Sequence, residues 1–152
     1  NDYFDQMVEV IFKHHGILEK FIGDAVMAVW GTPVGHPEDA RRAALAGIEM
    51  RQAISSLNLH RQMQGLEAVE IGIGLASGRC VVGNIGARRR MEYTVIGSAV
   101  NLSSRLCGVA AVGQVLCDEE TYRRCGTAIQ AVLLPSPPLK GLQKPISVYS
   151  IS

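Results

Sequence analysis

Asp24 and Lys20 are the first polar side chains in this 152-residue sequence whose positions suggest chemistry. Gly23-Asp24 separates two short apolar runs, 17–22 and 25–30, and this pattern predicts a β-hairpin with a carboxylate at its turn. Such a carboxylate could bind a hard cation such as Mg²⁺, or it could be an ordinary turn aspartate. Lys20 interrupts the first apolar run, either as a ligand-binding residue or as part of a solvated strand face.

Asn101 and Arg105 form the second candidate group. They are four residues apart in a predicted helix over residues 99–107, so they share one face of that helix. An amide beside a guanidinium suits a ribose or a phosphate, although a solvated helix face also explains the pair. Ser98 is predicted to be the N-cap of this helix. Taken alone, neither group of residues decides the function.

Other polar residues give weaker signals. Arg88, Arg89 and Arg90 form a basic run that could contact a triphosphate or simply solvate a loop. Lys140, next to Gly141, is an exposed cation in another predicted loop. No histidine has metal-ligand spacing or a nucleophile partner, and the sequence contains no Walker-type phosphate loop.

Length and composition narrow the class of protein. The 152 residues fit one domain, 47% of them are hydrophobic, and a net charge of +1 provides no general attraction for nucleic acid. The longest apolar run covers six residues, far below the roughly 20 that a membrane span needs. The four cysteines form no C-x-x-C pair and are expected to be buried free thiols in a reducing compartment. With no secretory signal, we expect a cytoplasmic location.

The periodicity of apolar residues predicts an α+β fold, with helices packed on a largely antiparallel sheet. The first residues already lie inside a helical pattern, so we expect a further segment upstream. The predicted order is a helix ending at Gly16 as its left-handed cap, the hairpin, a helix from about 37 to 64, strands at 69–75 and 80–82, a basic loop at 83–90, a strand at 93–96, the helix at 99–107, a strand at 114–117, a helical turn through 122, and strands at 129–134 and 146–151. The first helix is expected to bury Phe4, Met7, Val8, Ile11 and Phe12.

Three segments together resemble the class III adenylyl/guanylyl cyclase catalytic domain, in matching order and separation. They are residues 19–31 (EKFIGDAVMAVWG), 93–106 (YTVIGSAVNLSSRL) and 139–141 (LKG). The resemblance runs over the whole of 1–152 and implies one ferredoxin-like cyclase domain. It further implies conversion of a nucleoside triphosphate to its 3′,5′-cyclic monophosphate and pyrophosphate, with two divalent cations, Mg²⁺ or Mn²⁺, as cofactors.

The resemblance also assigns roles to individual residues. Asp24 matches a metal-binding aspartate of the family. Asn101 matches the asparagine that orients the ribose, and Arg105 matches the arginine that stabilises charge on the reacting phosphate. Lys140 matches a lysine that holds the terminal phosphates, and Arg89 lies near a position that contacts phosphate in some members.

Lys20 and Thr94 match the pair of residues that selects the base. Adenine offers an acceptor at N1 and a donor at N6, whereas guanine offers a donor at N1 and an acceptor at O6. Because lysine only donates hydrogen bonds and a threonine hydroxyl can accept one, the pair suits adenine. By the same resemblance, the guanylyl enzymes of the family have the opposite arrangement, with Glu at the position of Lys20. The threonine at position 94 is similar to that of the subgroup for which inorganic carbon is an activator.

Two departures from the family pattern leave alternatives open. The family's first strand, with its Phe-x-Asp metal ligand, would lie upstream of residue 1, and Asp2, Asp5 and Glu9 are poor substitutes for it. Ser98 stands where many relatives carry Asp. We therefore expect an adenylyl cyclase domain whose N-terminal strand is missing from this sequence, but a catalytically incompetent nucleotide-binding module, a guanylyl cyclase or an unrelated ferredoxin-like ligand-binding domain stays possible.

The family resemblance implies a homodimer with shared active sites. Asp24 would act from one protomer, and the base, ribose and phosphate ligands from the other. ATP is the expected substrate, and no contact with nucleic acid or with a membrane is expected. Fused sensor domains elsewhere in the protein would be consistent with this family.

Overall fold

The structure is a computed structural model that describes residues 2–85, 92–135 and 145–152, apart from the side chains of residues 84, 85, 92 and 93. It consists of helices α1 (Asp2–Lys13), α2 (Asp39–Met63), α3 (Ser98–Val109) and α4 (Glu119–Cys125), and strands β1 (Ile17–Ile22), β2 (Ala25–Val29), β3 (Ile73–Leu75), β4 (Val81–Ile85), β5 (Glu92–Ile96), β6 (Val115–Asp118), β7 (Ala131–Leu134) and β8 (Val148–Ile151). The predicted helices and the hairpin are confirmed.

The strands form one sheet and two ribbons. The four-stranded sheet has the order β3-β6-β8-β7, in which β3 and β6 are parallel and the other pairs antiparallel. β1 with β2, and β4 with β5, form two antiparallel ribbons. The prediction of a mixed α+β fold with a largely antiparallel sheet is therefore confirmed.

Helix α2 joins two hydrophobic clusters because it buries apolar residues along its whole length. Its N-terminal half packs on the four-stranded sheet, and its C-terminal half packs on α1. The first cluster contains Ala40, Ala44, Val115, Cys117, Cys125 and Ile151, and the second contains Met7, Ile54 and Leu57. Ile48 of the same helix packs against the first cluster.

The end of α1 differs from the prediction. His15, rather than Gly16, takes the left-handed conformation, with φ of 67°. Gly16 is required for another reason, since a Cβ atom there would lie 2.5 Å from the ring of Trp30. The Trp30 indole N–H donates to the carbonyl oxygen of His14 at 2.8 Å, which fixes the ring over the glycine. Phe12 is 59% exposed, so its place in the predicted buried face is wrong, and Val10 is buried instead.

Several other boundaries also differ. Ser98 is the first residue of α3 and not its N-cap, a position that Gly97 occupies without a side-chain hydrogen bond. The predicted strand at 69–75 is reduced to β3, because the side chain of Asn58 binds both backbone groups of Val69. β4 extends into the predicted basic loop, and residues 86–91 of that loop lie outside the described residues.

The cysteines divide into two pairs. Cys117 and Cys125 are buried, as predicted, and burial raises the pKa of Cys117 to about 12. Cys80 and Cys107 are exposed, so the prediction is wrong for them. Cys80 lies directly before β4, and Cys107 lies on α3. Within the described ranges, none of the helices combines the length and apolar character that crossing a membrane would require.

Candidate functional site

Asp24 lies at the turn between β1 and β2, as the sequence predicts. Ile22 and Ala25 are the last paired residues of the ribbon, so Gly23 and Asp24 form a two-residue turn. Gly23 has φ of 60°, a conformation that glycine adopts without steric strain. Asp24 is exposed at this turn, so a cation could reach its carboxylate.

Lys20 lies on β1 next to an irregularity in the strand. Leu18 pairs with Ala28 and Lys20 pairs with Met27, so Glu19 is an extra residue with no partner on β2. This is a β-bulge, a feature that often redirects side chains beside functional sites. Lys20 is exposed, and its ammonium group is available to a ligand.

Glu19 connects this bulge to the strand that carries Thr94. Its Oε1 atom accepts a hydrogen bond from the backbone N–H of Val95 at 3.2 Å. Thr94 is half-buried on β5 and pairs with Gly83 of β4, while Val95 is only 4% exposed. The hydrogen bond therefore ties the strands that carry the two predicted base-selecting residues.

Asn101 and Arg105 share one face of α3, as predicted from their spacing. Asn101 is exposed and Arg105 is half-buried. The other side of the helix is anchored by Ala99 and Leu106, which are 7% and 0% exposed. Gly74 of β3 lets α3 approach the sheet closely, because a Cβ atom there would clash with the backbone of α3. The guanidinium and amide are thus held on a helix that cannot easily shift.

Tyr3 lies on α1 and packs against the second hydrophobic cluster, which Val26 of β2 also contacts. Burial raises the pKa of Tyr3, and the charges of Asp24 and Cys107 raise it further.

The donor set for a metal ion is small. Among residues 2–85, 92–135 and 145–152, no group of three or more His, Cys, Asp or Glu side chains could hold a metal ion. Asp24 supplies one hard oxygen ligand, and Mg²⁺ is commonly bound through one or two carboxylates together with substrate phosphates and water. Among the described residues, Asp24 could therefore serve as one protein ligand of such an ion, but these residues do not form a complete site by themselves.

Two of the predicted site residues, Arg89 and Lys140, lie outside the described residues. Sequence reasoning missed the contact between Glu19 and Val95. The available signal was the presence of two adjacent charged residues, Glu19 and Lys20, in one short strand, since alternation puts neighbours on opposite faces unless a bulge intervenes.

Comparisons with known proteins identify the family and the fold of this chain. The family model for the adenylate and guanylate cyclase catalytic domain matches residues 1–152. The structure is similar to that of the adenylyl cyclase CyaB from P. aeruginosa, with a TM-score of 0.94 and 35% identity over 100% of this chain and 79% of that chain. It is also similar to the guanylyl cyclase Cya2, with a TM-score of 0.91 and 33% identity over 98% of this chain and 76% of that chain.

Curated relatives are much longer than this chain. Adenylate cyclase 1 of Rhizobium meliloti is 29% identical over 99% of this chain but only 23% of its own length. An uncharacterised Mycobacterium tuberculosis protein is 41% identical over 72% of this chain and 19% of its own length. The chain thus spans about a fifth of the length of the relatives it matches. Because the family model matches residues 1–152, the chain belongs to the class III adenylyl/guanylyl cyclase catalytic domain family.

Proposed function

We propose that residues 1–152 act as one catalytic domain that converts ATP to 3′,5′-cyclic AMP and pyrophosphate. The choice of ATP rests on the hydrogen-bonding groups of Lys20 and Thr94, whose strands are joined by the Glu19–Val95 hydrogen bond. Family membership alone leaves the base open, because both an adenylyl and a guanylyl cyclase are similar to this chain. The donor and acceptor chemistry of these two side chains supports adenine.

Base selection follows from which side chain can donate and which can accept. The Lys20 ammonium donates to adenine N1, and the Thr94 hydroxyl accepts from the N6 amine. Facing guanine, Lys20 would meet the N1–H donor, and a buried donor left unpaired costs about 1–3 kcal/mol. That difference corresponds to roughly a tenfold to hundredfold preference for ATP.

Asn101 and Arg105 are proposed to act on the ribose and the reacting phosphate. The Asn101 amide orients the ribose so that its 3′-hydroxyl lies in line with the α-phosphate, and the Arg105 guanidinium stabilises the negative charge that develops there. The half-burial of Arg105 strengthens this interaction, because a partly desolvated charge is less screened by water. Lys140 and Arg89 are proposed to contact the terminal phosphates.

Divalent cations, Mg²⁺ or Mn²⁺, are the proposed cofactors, and Asp24 would hold one of them. When bound, such an ion supplies positive charge to the phosphate oxygens. The exposed turn lets the Asp24 carboxylate reach a triphosphate without moving the rest of the ribbon. A second carboxylate would have to come from outside the described residues.

Two copies of the chain are proposed to build each site. Membership of the cyclase family supports this arrangement, because the resemblance implies metal-binding and nucleotide-binding residues on different protomers. In a symmetric dimer, Asp24 of one protomer can meet Lys20, Thr94, Asn101 and Arg105 of its partner. ATP supply points to a cytoplasmic location, and the greater length of the relatives leaves room for fused sensor domains.

A catalytically incompetent nucleotide-binding module is the second candidate. The observation that favours it is that, among the described residues, no group of three or more His, Cys, Asp or Glu side chains could hold a metal ion. Such a module would bind ATP through the base and phosphate ligands but would not release pyrophosphate.

The test is a cyclase assay with ATP and with GTP, in the presence of Mg²⁺ or Mn²⁺, combined with calorimetric binding of each nucleotide. We expect cyclic AMP formation that depends on the metal, and loss of turnover by at least about a hundredfold in Arg105→Ala. Arg123→Ala, which removes an exposed guanidinium paired with Glu120 on α4, is the matched control and should keep full activity. ATP binding without any cyclic product would favour the module, and faster turnover of GTP would favour a guanylyl cyclase.

A further inference from the structure

We propose that Glu19 is a positioning residue that sets nucleotide selectivity by fixing the separation between Lys20 and Thr94. This inference rests on the proposed function, in which those two side chains read the base. Glu19 itself need not touch the nucleotide. Its carboxylate binds the backbone of β5 at Val95. This hydrogen bond fixes the positions of the neighbouring residues, Lys20 on β1 and Thr94 on β5.

The bulge in β1 is the first observation that supports this role. The pairing of β1 with β2 shifts by one residue at Glu19, because Leu18 pairs with Ala28 and Lys20 pairs with Met27. An extra residue in a strand bends it and gives the side chain a direction that regular alternation would not allow. Here that direction leads to Val95, which is 76 positions away in the sequence.

The second observation is that this contact connects two otherwise separate ribbons. Among the described residues, the hydrogen bond from the Val95 N–H to Glu19 Oε1 is the one that joins the β1–β2 ribbon to the β4–β5 ribbon. Val95 is buried, so its N–H is shielded from water and needs a protein acceptor. A carboxylate is a stronger acceptor than a neutral oxygen.

The position of the contact makes it specific for base recognition. Glu19 precedes Lys20 directly, and Val95 follows Thr94 directly, so the tied atoms lie one residue from each base-selecting side chain. A purine can bond to both side chains only if each is within about 2.7–3.2 Å of its partner atom. Loosening the tie therefore weakens recognition of the base, while the groups that act on the phosphate are left in place on α3.

The experiment compares Glu19→Ala and Glu19→Gln with the parent in the full chain, measuring kinetics with ATP and GTP and amide hydrogen exchange at Val95. In Glu19→Ala we expect KM for ATP to rise about tenfold, the ATP-to-GTP ratio of kcat/KM to fall about tenfold, and kcat to stay within about threefold of the parent. Exchange at Val95 should become faster. Glu19→Gln keeps an oxygen that can accept the same N–H, so it should restore most of the selectivity and protect Val95.

Glu49→Ala is the matched control, because Glu49 is another carboxylate that bridges two elements, here α1 and α2 through Lys13. It should lower stability without changing the nucleotide ratio. Unchanged exchange at Val95 in Glu19→Ala would overturn the proposal, and so would faster exchange with unchanged KM and selectivity. A parent that cyclises neither nucleotide would refute the proposed function and this inference together, whereas an active parent with an unaffected Glu19→Ala variant would refute the inference alone.

Discussion

In the proposed site, Lys20 and Thr94 each contribute one hydrogen-bonding group, and whether that group donates or accepts determines which purine fits. Lys20 lies exposed on β1 and Thr94 half-buried on β5, so the proposed base-recognition groups are divided between two ribbons. Reversing the donor and acceptor roles at both positions should therefore change the preferred substrate without altering the fold.

We predict that Lys20→Glu combined with Thr94→Cys lowers kcat/KM for ATP by about tenfold to hundredfold and raises it for GTP. The glutamate would accept from guanine N1–H, a group that the lysine cannot bind. Initial rates with both nucleotides measure the change. Lys13→Gln, on the surface of α1, is the control and should leave both rates unaltered. ATP turnover that is the same in the double variant and the parent would contradict the role given to these residues.

At the scale of elements, the close packing of α3 on β3 is the feature that positions Asn101 and Arg105. Gly74 makes that packing possible, since an added Cβ would lie 2.9 Å from the Cβ of Leu106 and would also clash with the helix backbone. Gly74→Ala should therefore displace α3, reduce the free energy of unfolding by about 2 kcal/mol and lower cyclase activity. Urea unfolding and initial rates give the two quantities.

Gly108→Ala is the matched control for this prediction. Gly108 is also on α3, but a Cβ added there meets no atom within 4 Å. Alanine is the better helix former, so this variant should be more stable by about 0.5–1 kcal/mol and keep its activity. If Gly74→Ala proves as stable and active as Gly108→Ala, the close approach of α3 to β3 is not what holds the site.

The contact between α1 and α2 should make stability depend on pH. Lys13 Nζ lies 2.7 Å from Glu49 Oε1, and this hydrogen bond holds the pKa of Glu49 below its ordinary value of 4.5. A lowered pKa stabilises the fold above pH 4.5, and the stabilisation is lost as the pH falls through the pKa of the folded state. Glu49→Gln should thus cost about 0.5 kcal/mol at neutral pH and less near pH 3, because Glu49 is increasingly protonated as the pH falls.

Denaturant unfolding at the two pH values measures this difference. Exposed Glu67, in the loop after α2, provides the control, and Glu67→Gln should show no such dependence. A Glu49→Gln variant that is equally destabilised at both pH values would mean that packing, rather than the ion pair, accounts for its effect.

Local pattern predicted the elements well but failed where a distant residue decides the conformation. The hairpin and α2 follow from apolar spacing and turn residues that are neighbours in sequence. Gly16 looked like a helix cap, but its role depends on Trp30, and the strand at 69–75 is shortened because Asn58 binds Val69. Each of these contacts joins residues too far apart for periodicity to reveal.

The candidate site follows the same rule. The shared face of Asn101 and Arg105 was predictable, because helical spacing alone places them together. The contact from Glu19 to Val95 was not predictable, because it depends on a bulge and joins two ribbons through residues that are 76 positions apart in the sequence. The resemblance identified the residue types of the site, whereas the structure shows how the strands that carry two of them are connected.

At the scale of the whole molecule, the question is whether one chain can bring Asp24 to Arg105. The proposed site takes Asp24 from one chain and Arg105 from the other, as the family resemblance implies. In that arrangement the carboxylate and the guanidinium of one chain serve different sites. Two identical chains related by a two-fold axis would complete two such sites at once.

This arrangement predicts recovery of activity when two inactive variants are mixed. Asp24→Ala and Arg105→Ala should each be nearly inactive alone. In a mixed dimer one site combines the intact Asp24 of one chain with the intact Arg105 of the other, and the second site carries both changes. With random pairing, half of the dimers are mixed and half of their sites are intact, so about a quarter of the parental activity should return.

The measurement is cyclic AMP formation after the two variants are mixed and allowed to exchange subunits. The control mixes Asp24→Ala with a chain that carries both substitutions, which leaves no intact site in any dimer and should restore nothing. Activity should also fall on dilution, because separated chains hold only half of each site. Mixed dimers that form, as shown by mass, yet stay inactive would mean that Asp24 and Arg105 serve the same site from the same chain.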